Sequence, residues 1–328
     1  MDDREFSLEE CCRAYRHILP YIVKTKLLRC LHLEKRLKTA HRVFLKLEND
    51  QITKSFKARG AFHALLSLSQ EERKKGVVTR SAGNFAIAVA FAAKRLGIQA
   101  TLVMAENVSP IKKQLAAQYG PRIILFGTTH KEGNAKVQEL VEKEHLVRLS
   151  PFDHWDVIMG QGTLGLEIFE EHPTLRHFFG PIGGGGLLGG TSACFKKLSS
   201  DIVIHGVEPE GANDYFLSRQ TGHKVMLDSP TTIADGLRAN EVGQLNRPLL
   251  DRYVDQVVTV TDKEILQAMR FMQEECDIMI EPSAACALAY VLYRAPSFKG
   301  DAVCILTGGN VDPQDFGKYL RSIESHSS

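Results

Sequence analysis

The sequence predicts an α/β protein with a mainly parallel sheet flanked by helices, and with a smaller unit inserted in a larger one. Three observations predict it. Short β-branched runs alternate with helical periods, the pattern left by parallel strands joined through crossover helices. The chain has 328 residues, enough for two domains or for one large domain carrying an insertion. Neither an internal repeat nor a low-complexity linker interrupts it.

In chain order, strands are expected at 76–79, 100–104, 122–126, 178–182, 202–207, 256–260 and 302–306, each a short run rich in Val, Ile, Leu or Phe. Amphipathic helices lie between them. Ser109 before Pro110 gives a cap followed by a proline at the first helical position. Thr261 with Glu264 forms a capping box ahead of Ile265 and Met269. The smaller unit is expected over 49–149 and the larger over 1–48 and 150–328, because Ser150-Pro151 reads as a crossing point.

Composition narrows the function. With 41 basic and 39 acidic residues the net charge is +2, which leaves no electrostatic footprint for nucleic acid and no polybasic stretch for a membrane. The seven cysteines are odd in number and contain no C-x-x-C pair, which fits a reducing compartment. The charged N-terminus is unlike a signal peptide, and no apolar run would span a bilayer, so a cytoplasmic protein is expected. The histidines show no ligand spacing.

Four short segments carry chemistry. Thr53-Lys54-Ser55-Phe56-Lys57-Ala58-Arg59-Gly60-Ala61 places Lys57 beside Phe56 and small residues, where partial desolvation makes a neutral, nucleophilic amine accessible. Pro181-Ile182-Gly183-Gly184-Gly185-Gly186-Leu187-Leu188-Gly189-Gly190 follows an apolar strand and opens a helix. Such a loop cradles phosphate with free backbone N–H groups. Gly184, Gly186 and Gly189 also satisfy G-x-G-x-x-G, and Glu208 ends the next strand, so a dinucleotide site competes for these residues. Ser81-Ala82-Gly83-Asn84 starts a helix whose N–H groups suit a carboxylate, and Thr307-Gly308-Gly309-Asn310 ends a strand with a hydroxyl.

These strings together, from about Leu47 to Asp312 and in order, resemble the fold-type II pyridoxal-phosphate (PLP) enzymes: serine and threonine dehydratases and serine racemases. The motifs are S-F-K-x-R-G-A at Ser55–Ala61, the L-E-x-x-Q lead-in at Leu47–Gln51, S-[SA]-G-N at Ser81–Asn84, the four-glycine loop and [ST]-G-G-N at Thr307–Asn310. The resemblance implies two open twisted, mainly parallel sheets of the tryptophan synthase β type. It implies that Lys57 forms the Schiff base and that Phe56 packs on the pyridine ring. Gly183, Gly184, Gly185, Gly186 and Leu187 would then hold the phosphate, Asn84 the 3′-oxygen and Thr307 the ring nitrogen. Ser81, Ala82, Gly83 and Asn84 would bind the substrate carboxylate. A dinucleotide reading leaves Lys57, Asn84 and Thr307 unexplained.

Glu208, the Ala212 carbonyl and Asp214 are similar to the cation site of serine racemases and some dehydratases, which implies Mg²⁺, Mn²⁺ or Ca²⁺. Ala234-Asp235-Gly236-Leu237 and Glu281-Pro282 also match landmarks, and Glu281 either faces the cofactor pocket or is an exposed helix-start acid. The expected reaction is dehydration and deamination of a small hydroxy-amino acid such as L-threonine or L-serine to a 2-keto acid and ammonia, by a homodimer. Racemisation is the nearest alternative; there Ala82 stands where racemases carry a serine base. The chain departs from the pattern at Phe85 and Ile87, where dehydratases carry His and Gln, and at Lys26, where proline is usual. Those departures favour a third reading, a silent ligand-binding protein.

Overall fold

The computed structural model describes residues 4–108, 110–295 and 298–323, so the Ser109 cap lies outside the described residues. Ten strands form two sheets: β1 (Leu27–Arg29), β2 (Val43–Leu47), β3 (Val77–Arg80), β4 (Ala100–Met104), β5 (Arg122–Leu125), β6 (Val147–Arg148), β7 (His177–Pro181), β8 (Val203–Pro209), β9 (Gln256–Val260) and β10 (Ala302–Leu306). The larger sheet runs β1-β2-β10-β7-β8-β9, parallel except for the antiparallel β1 edge. The smaller runs β5-β4-β3-β6 and is wholly parallel.

The central strands are covered on both faces, which is why they read as continuous apolar runs: every residue of β10 and of β4 is buried. Helix Pro282–Tyr293, apolar around most of its circumference, packs on β7, β8 and β10 in the large core. Around the small sheet, helix Asn84–Leu96 supplies Phe85, Ile87 and Val89 to a second core. The Thr261–Glu264 capping box is present, opening helix Asp262–Cys276.

Helix Trp155–Glu171 joins the two cores by packing against helix Lys57–Leu66 on one side and helix Gly186–Leu198 on another. The contact is a backbone approach. A Cβ on Gly160 would lie 2.7 Å from the Arg59 carbonyl oxygen, so only glycine lets these helices close. Two segments that carry candidate site residues, the Lys57 helix and the glycine-loop helix, are thereby fixed to one buttress. Among the described residues, no helix is long and apolar enough to cross a membrane.

Candidate active site

All four chemistry-bearing segments leave the carboxyl ends of parallel strands, where ligands of open α/β sheets bind. The chain enters Ser81–Asn84 from β3, the glycine loop from β7 and Thr307–Asn310 from β10. The lead-in to Lys57 follows β2, next to β10. Ser55 bridges to Gly308, and the Phe56 N–H donates to the Thr307 carbonyl at 3.1 Å, which ties the lysine segment to the end of β10.

Lys57 is the first residue of helix Lys57–Leu66 and is half-buried. Its Nζ donates to the Pro151 carbonyl at 2.8 Å and lies 4.9 Å from the Phe56 ring centre and 5.7 Å from that of Phe85. Burial lowers its pKa to about 8, with Glu281 pulling the other way. At pH 7 roughly one molecule in ten then carries a neutral amine, against about one in three thousand for an ordinary lysine. The amine is desolvated, as the sequence anticipates, and lies near two aromatic rings.

The glycine loop lies directly behind it. Phe152 follows the residue that accepts from Lys57, and a Cβ on Gly184 would sit 2.4 Å from the Phe152 ring. Gly185 has φ +87°, and helix Gly186–Leu198 starts from it with no side-chain cap. N–H groups at the start of a 13-residue helix that has no side-chain cap suit a phosphate dianion. Asn246 fixes the loop by donating to the carbonyls of Gly184 at 2.9 Å and Phe152 at 3.0 Å.

Opposite the loop, the Asn84 amide donates to Glu281 Oε1 at 2.6 Å and its oxygen accepts from Asn310 at 2.8 Å. Glu281 caps helix Pro282–Tyr293 and is buried, 6% exposed, so it faces the pocket rather than solvent. Burial raises its pKa to about 7 against Lys112, Asn84, Asn310 and Lys57, all of which lower it. Gly308 admits this carboxyl, since a Cβ there would lie 2.4 Å from Glu281 Oε1. Thr307 is buried beside them, and Ser81, Ala82, Gly83 and Asn84 remain partly open. Lys112, from helix Pro110–Ala117, pairs with Asp235 across the mouth.

These residues fit PLP: an accessible amine, an anion cradle and a polar rim converge on one cleft. They fit a dinucleotide less well. Glu208 is fully buried, and its two oxygens accept from the Tyr215 and Phe216 N–H groups, so it offers nothing to a ribose.

Glu208, Ala212 and Asp214 do come together as a buried group, apart from the cleft. Burial, with Asp214 adding to it, pushes the Glu208 carboxyl well up, and burial raises Asp214 to about 6. A cation would relieve both. Among the described residues, however, no three His, Cys, Asp or Glu side chains converge as a metal cluster, so any ion here needs the Ala212 carbonyl and water.

Pro151, Phe152, Asn246 and Lys112 escaped the sequence reading. Their roles come from backbone carbonyls and single long-range contacts that leave no local pattern.

Comparisons with known proteins identify the family. A family model described as "Pyridoxal-phosphate dependent enzyme" matches residues 18–308. L-threo-3-hydroxyaspartate ammonia-lyase of Saccharomyces cerevisiae is 36% identical over 312 residues, 95% of this chain and 95% of that protein. L-threonine ammonia-lyase of Thermotoga maritima is 38% identical over 84% of this chain and 68% of its own length. The structure of maize serine racemase superposes with a TM-score of 0.91 at 33% identity, covering 98% of both chains. A match of this length, to a family model over residues 18–308 and to relatives over most of the chain, makes the chain a member of the pyridoxal-phosphate-dependent enzyme family.

Proposed function

We propose that the protein is an ammonia-lyase that dehydrates and deaminates a small β-hydroxy amino acid, such as L-threonine or L-serine, to a 2-keto acid and ammonia. The observation that carries this reading is the desolvated Lys57 amine, which donates to the Pro151 carbonyl beside the Phe152 that packs on Gly184; Ala82 stands where a second proton-transfer residue would be needed. PLP, when bound, supplies the electron sink that acidifies the substrate Cα–H. Gly183, Gly184, Gly185, Gly186 and Leu187 would hold its phosphate, Phe56 and Asn84 its ring, and Thr307 its ring nitrogen.

The protein's own residues do the rest. Ser81, Ala82, Gly83 and Asn84 present backbone and side-chain donors to the substrate carboxylate and so orient Cα–H toward Lys57. The Lys57 amine takes that proton as general base. Asn84 is held by Glu281 and Asn310 and cannot swing away. Ala82 has no proton to offer the opposite face, which supports elimination over racemisation.

Glu208, the Ala212 carbonyl and Asp214 are proposed to hold a divalent cation of the Mg²⁺ type, supporting the fold rather than the chemistry. Division of the chain at 49–149, a cytoplasmic setting and assembly as a homodimer complete the proposal; seven free cysteines support a reducing setting.

Incubation of the holoprotein with a panel of β-hydroxy amino acids tests the reaction, with keto-acid release and chiral analysis of recovered substrate as readouts. Keto acid with ammonia in equal amount is expected. D-serine accumulating without pyruvate would make the protein a racemase, and no turnover of any panel member would leave a silent binder.

A further inference from the structure

Cys30 and Cys276 are 246 positions apart in the chain, yet their Sγ atoms lie 3.9 Å from each other. Cys30 follows β1 and caps helix Leu31–Leu37, while Cys276 is the last residue of helix Asp262–Cys276. The residues beside them meet as well. His32 Nδ1 lies 2.8 Å from Glu275 Oε2, so two contacts hold the same helix start against the same helix end. Cys30 is buried in the large core and Cys276 is partly open. Cys11, Cys194, Cys286 and Cys304 are fully buried, which denies an oxidant in solution a direct path to them.

The two sulfurs share a proton. Accepting from the Cys276 S–H holds the Cys30 thiol below its ordinary value, against burial and with help from the Leu33 N–H. The same contact, with burial, pushes the Cys276 thiol up. The proton therefore rests on Cys276, and Cys30 is the better nucleophile. A peroxide that meets the open sulfur transfers one oxygen to Cys276, giving a sulfenic acid and one water. The Cys30 thiolate then attacks that sulfur. The S–S bond forms, the S–O bond breaks, and the departing hydroxide takes a proton to become a second water. Two thiols lose two electrons in all, and one peroxide is reduced to two waters.

Closing the sulfurs to a bond of about 2 Å requires one of them to move. The Cys30 N–H donates to the Val43 carbonyl at 2.8 Å, and the Cys30 carbonyl accepts from the Glu34 N–H at 3.1 Å, so the displacement falls on Cys276. Only four residues separate Cys276 from Glu281. That stretch has little slack: the Ile278 N–H donates to the Met272 carbonyl, Ile280 is fully buried, and the Glu281 N–H donates to the Gly308 carbonyl. Glu281 in turn holds the Asn84 amide. We propose that Cys30 and Cys276 form a reversible disulfide driven by peroxide, and that the cross-link lowers affinity for PLP by shifting Glu281 and with it Asn84. This rests on the placement of Asn84 beside the cofactor ring, and it holds whichever reaction the site performs.

Reduced apoprotein is treated with hydrogen peroxide, the excess is removed with catalase, and thiols are counted after denaturation. Two of the seven are expected to be lost. Digestion without reductant is expected to give a peptide linking Cys30 to Cys276, and a phosphine is expected to return both thiols. PLP titration, followed by absorbance, is expected to show affinity lowered by about 5-fold or more in the linked protein, the lower range of coupling between two sites. The phosphine should restore it. Cys276→Ser is expected to bind PLP as reduced wild type does, before and after peroxide. Asn84→Ala is expected to form the link, to bind PLP more weakly, and to lose the redox response of that binding. Cys30 joined to Cys304, or no link at all, overturns the proposal. Linked protein that binds PLP as tightly as reduced protein overturns the path through Glu281. Asn84→Ala that binds PLP like wild type refutes the placement of Asn84 while leaving the disulfide standing.

Discussion

Arg59 grips Glu48 with two parallel bonds, Nε to Oε2 at 2.9 Å and Nη2 to Oε1 at 2.7 Å, with both side chains fully buried. Its other donors reach Glu167, which also takes Lys46, so two cations and two carboxylates form one closed cluster. Arg59 stands two residues beyond Lys57 on the same helix, Glu48 follows β2, and Glu167 belongs to the buttress helix. The cluster therefore fixes the helix start that carries the amine. Removing one member strands the others without water.

Arg59→Met should cost about 3–5 kcal/mol, the usual penalty for breaking a buried ion pair from one side. Chemical denaturation of the apoprotein reads it. Burial alone would raise Glu48, but the Arg59 guanidinium overrides it and holds the carboxyl below its ordinary value. A depressed acid contributes stability above its unfolded pKa, near 4.5, and that contribution fades as pH falls further. Arg59→Met should therefore narrow the stability gap to wild type in acid. A gap of constant size from pH 7 to pH 3 contradicts the cluster's role.

Lys57→Ala should remove both the visible absorbance of bound cofactor and turnover. The wild-type apoprotein should take up PLP covalently at a rate that rises with pH through about 8, because only the neutral amine attacks. Borohydride trapping at a series of pH values gives the curve. Glu281 raises the lysine's pKa, so Glu281→Gln should move the midpoint down.

Glu281 makes its own contribution to stability. Its folded pKa of about 7 lies above the ordinary carboxylate value of 4.5, so its stabilising effect is complete below pH 4.5 and is lost as pH rises through 7. Wild-type apoprotein should lose about 3 kcal/mol from this group across that window, at about 1.4 kcal/mol per pH unit. Glu281→Gln should flatten the slope and be the more stable protein at pH 8. Urea midpoints at pH 5 and pH 8 decide it, and identical slopes in both proteins argue against a buried acid.

Much of this was legible in the chain. Strands at 100–104, 256–260 and 302–306 fall where expected, and the other four are displaced by one or two residues at one or both ends. The reason is that buried parallel strands are apolar throughout and bounded by turns. Three strands were not legible. β1 and β6 have three and two residues, too few for any period. β2 contains Lys46, which in isolation argues for an exposed face. Its charge is matched by Glu167, 121 residues away, and no local pattern announces that partner. In the site, motif residues were legible because glycine and lysine chemistry is local. Pro151 and Phe152 contribute through a carbonyl and a ring, which carry no such signature.

Gly184→Ala should weaken cofactor retention more than it weakens the fold. A methyl group would meet the Phe152 ring at 2.4–2.6 Å, and the ring must move toward the cradle or take Pro151, the acceptor of Lys57, with it. Dialysis against cysteine or another carbonyl trap, followed by absorbance, should show faster PLP loss, with the apoprotein's melting point lowered by only a few degrees. Equal cofactor retention would mean the loop does not carry the phosphate.

The acid pair beneath β8 gives the last prediction. Glu208 and Asp214 are both driven upward by burial, Asp214 to about 6, so at pH 7 folding must either keep a proton there or bury unmatched charge. A divalent cation removes that choice. If one binds, melting temperature should rise with millimolar Mg²⁺, Mn²⁺ or Ca²⁺ as the logarithm of its concentration. The rise should be larger at pH 8 than at pH 5, because below about 6 the ion must displace a proton from Asp214. Asp214→Asn removes a ligand and part of the repulsion together. It should raise stability in EDTA at pH 8 and abolish the response to metal. Calorimetric scans of both proteins with and without each ion measure this, and a metal response that survives in Asp214→Asn places the ion elsewhere.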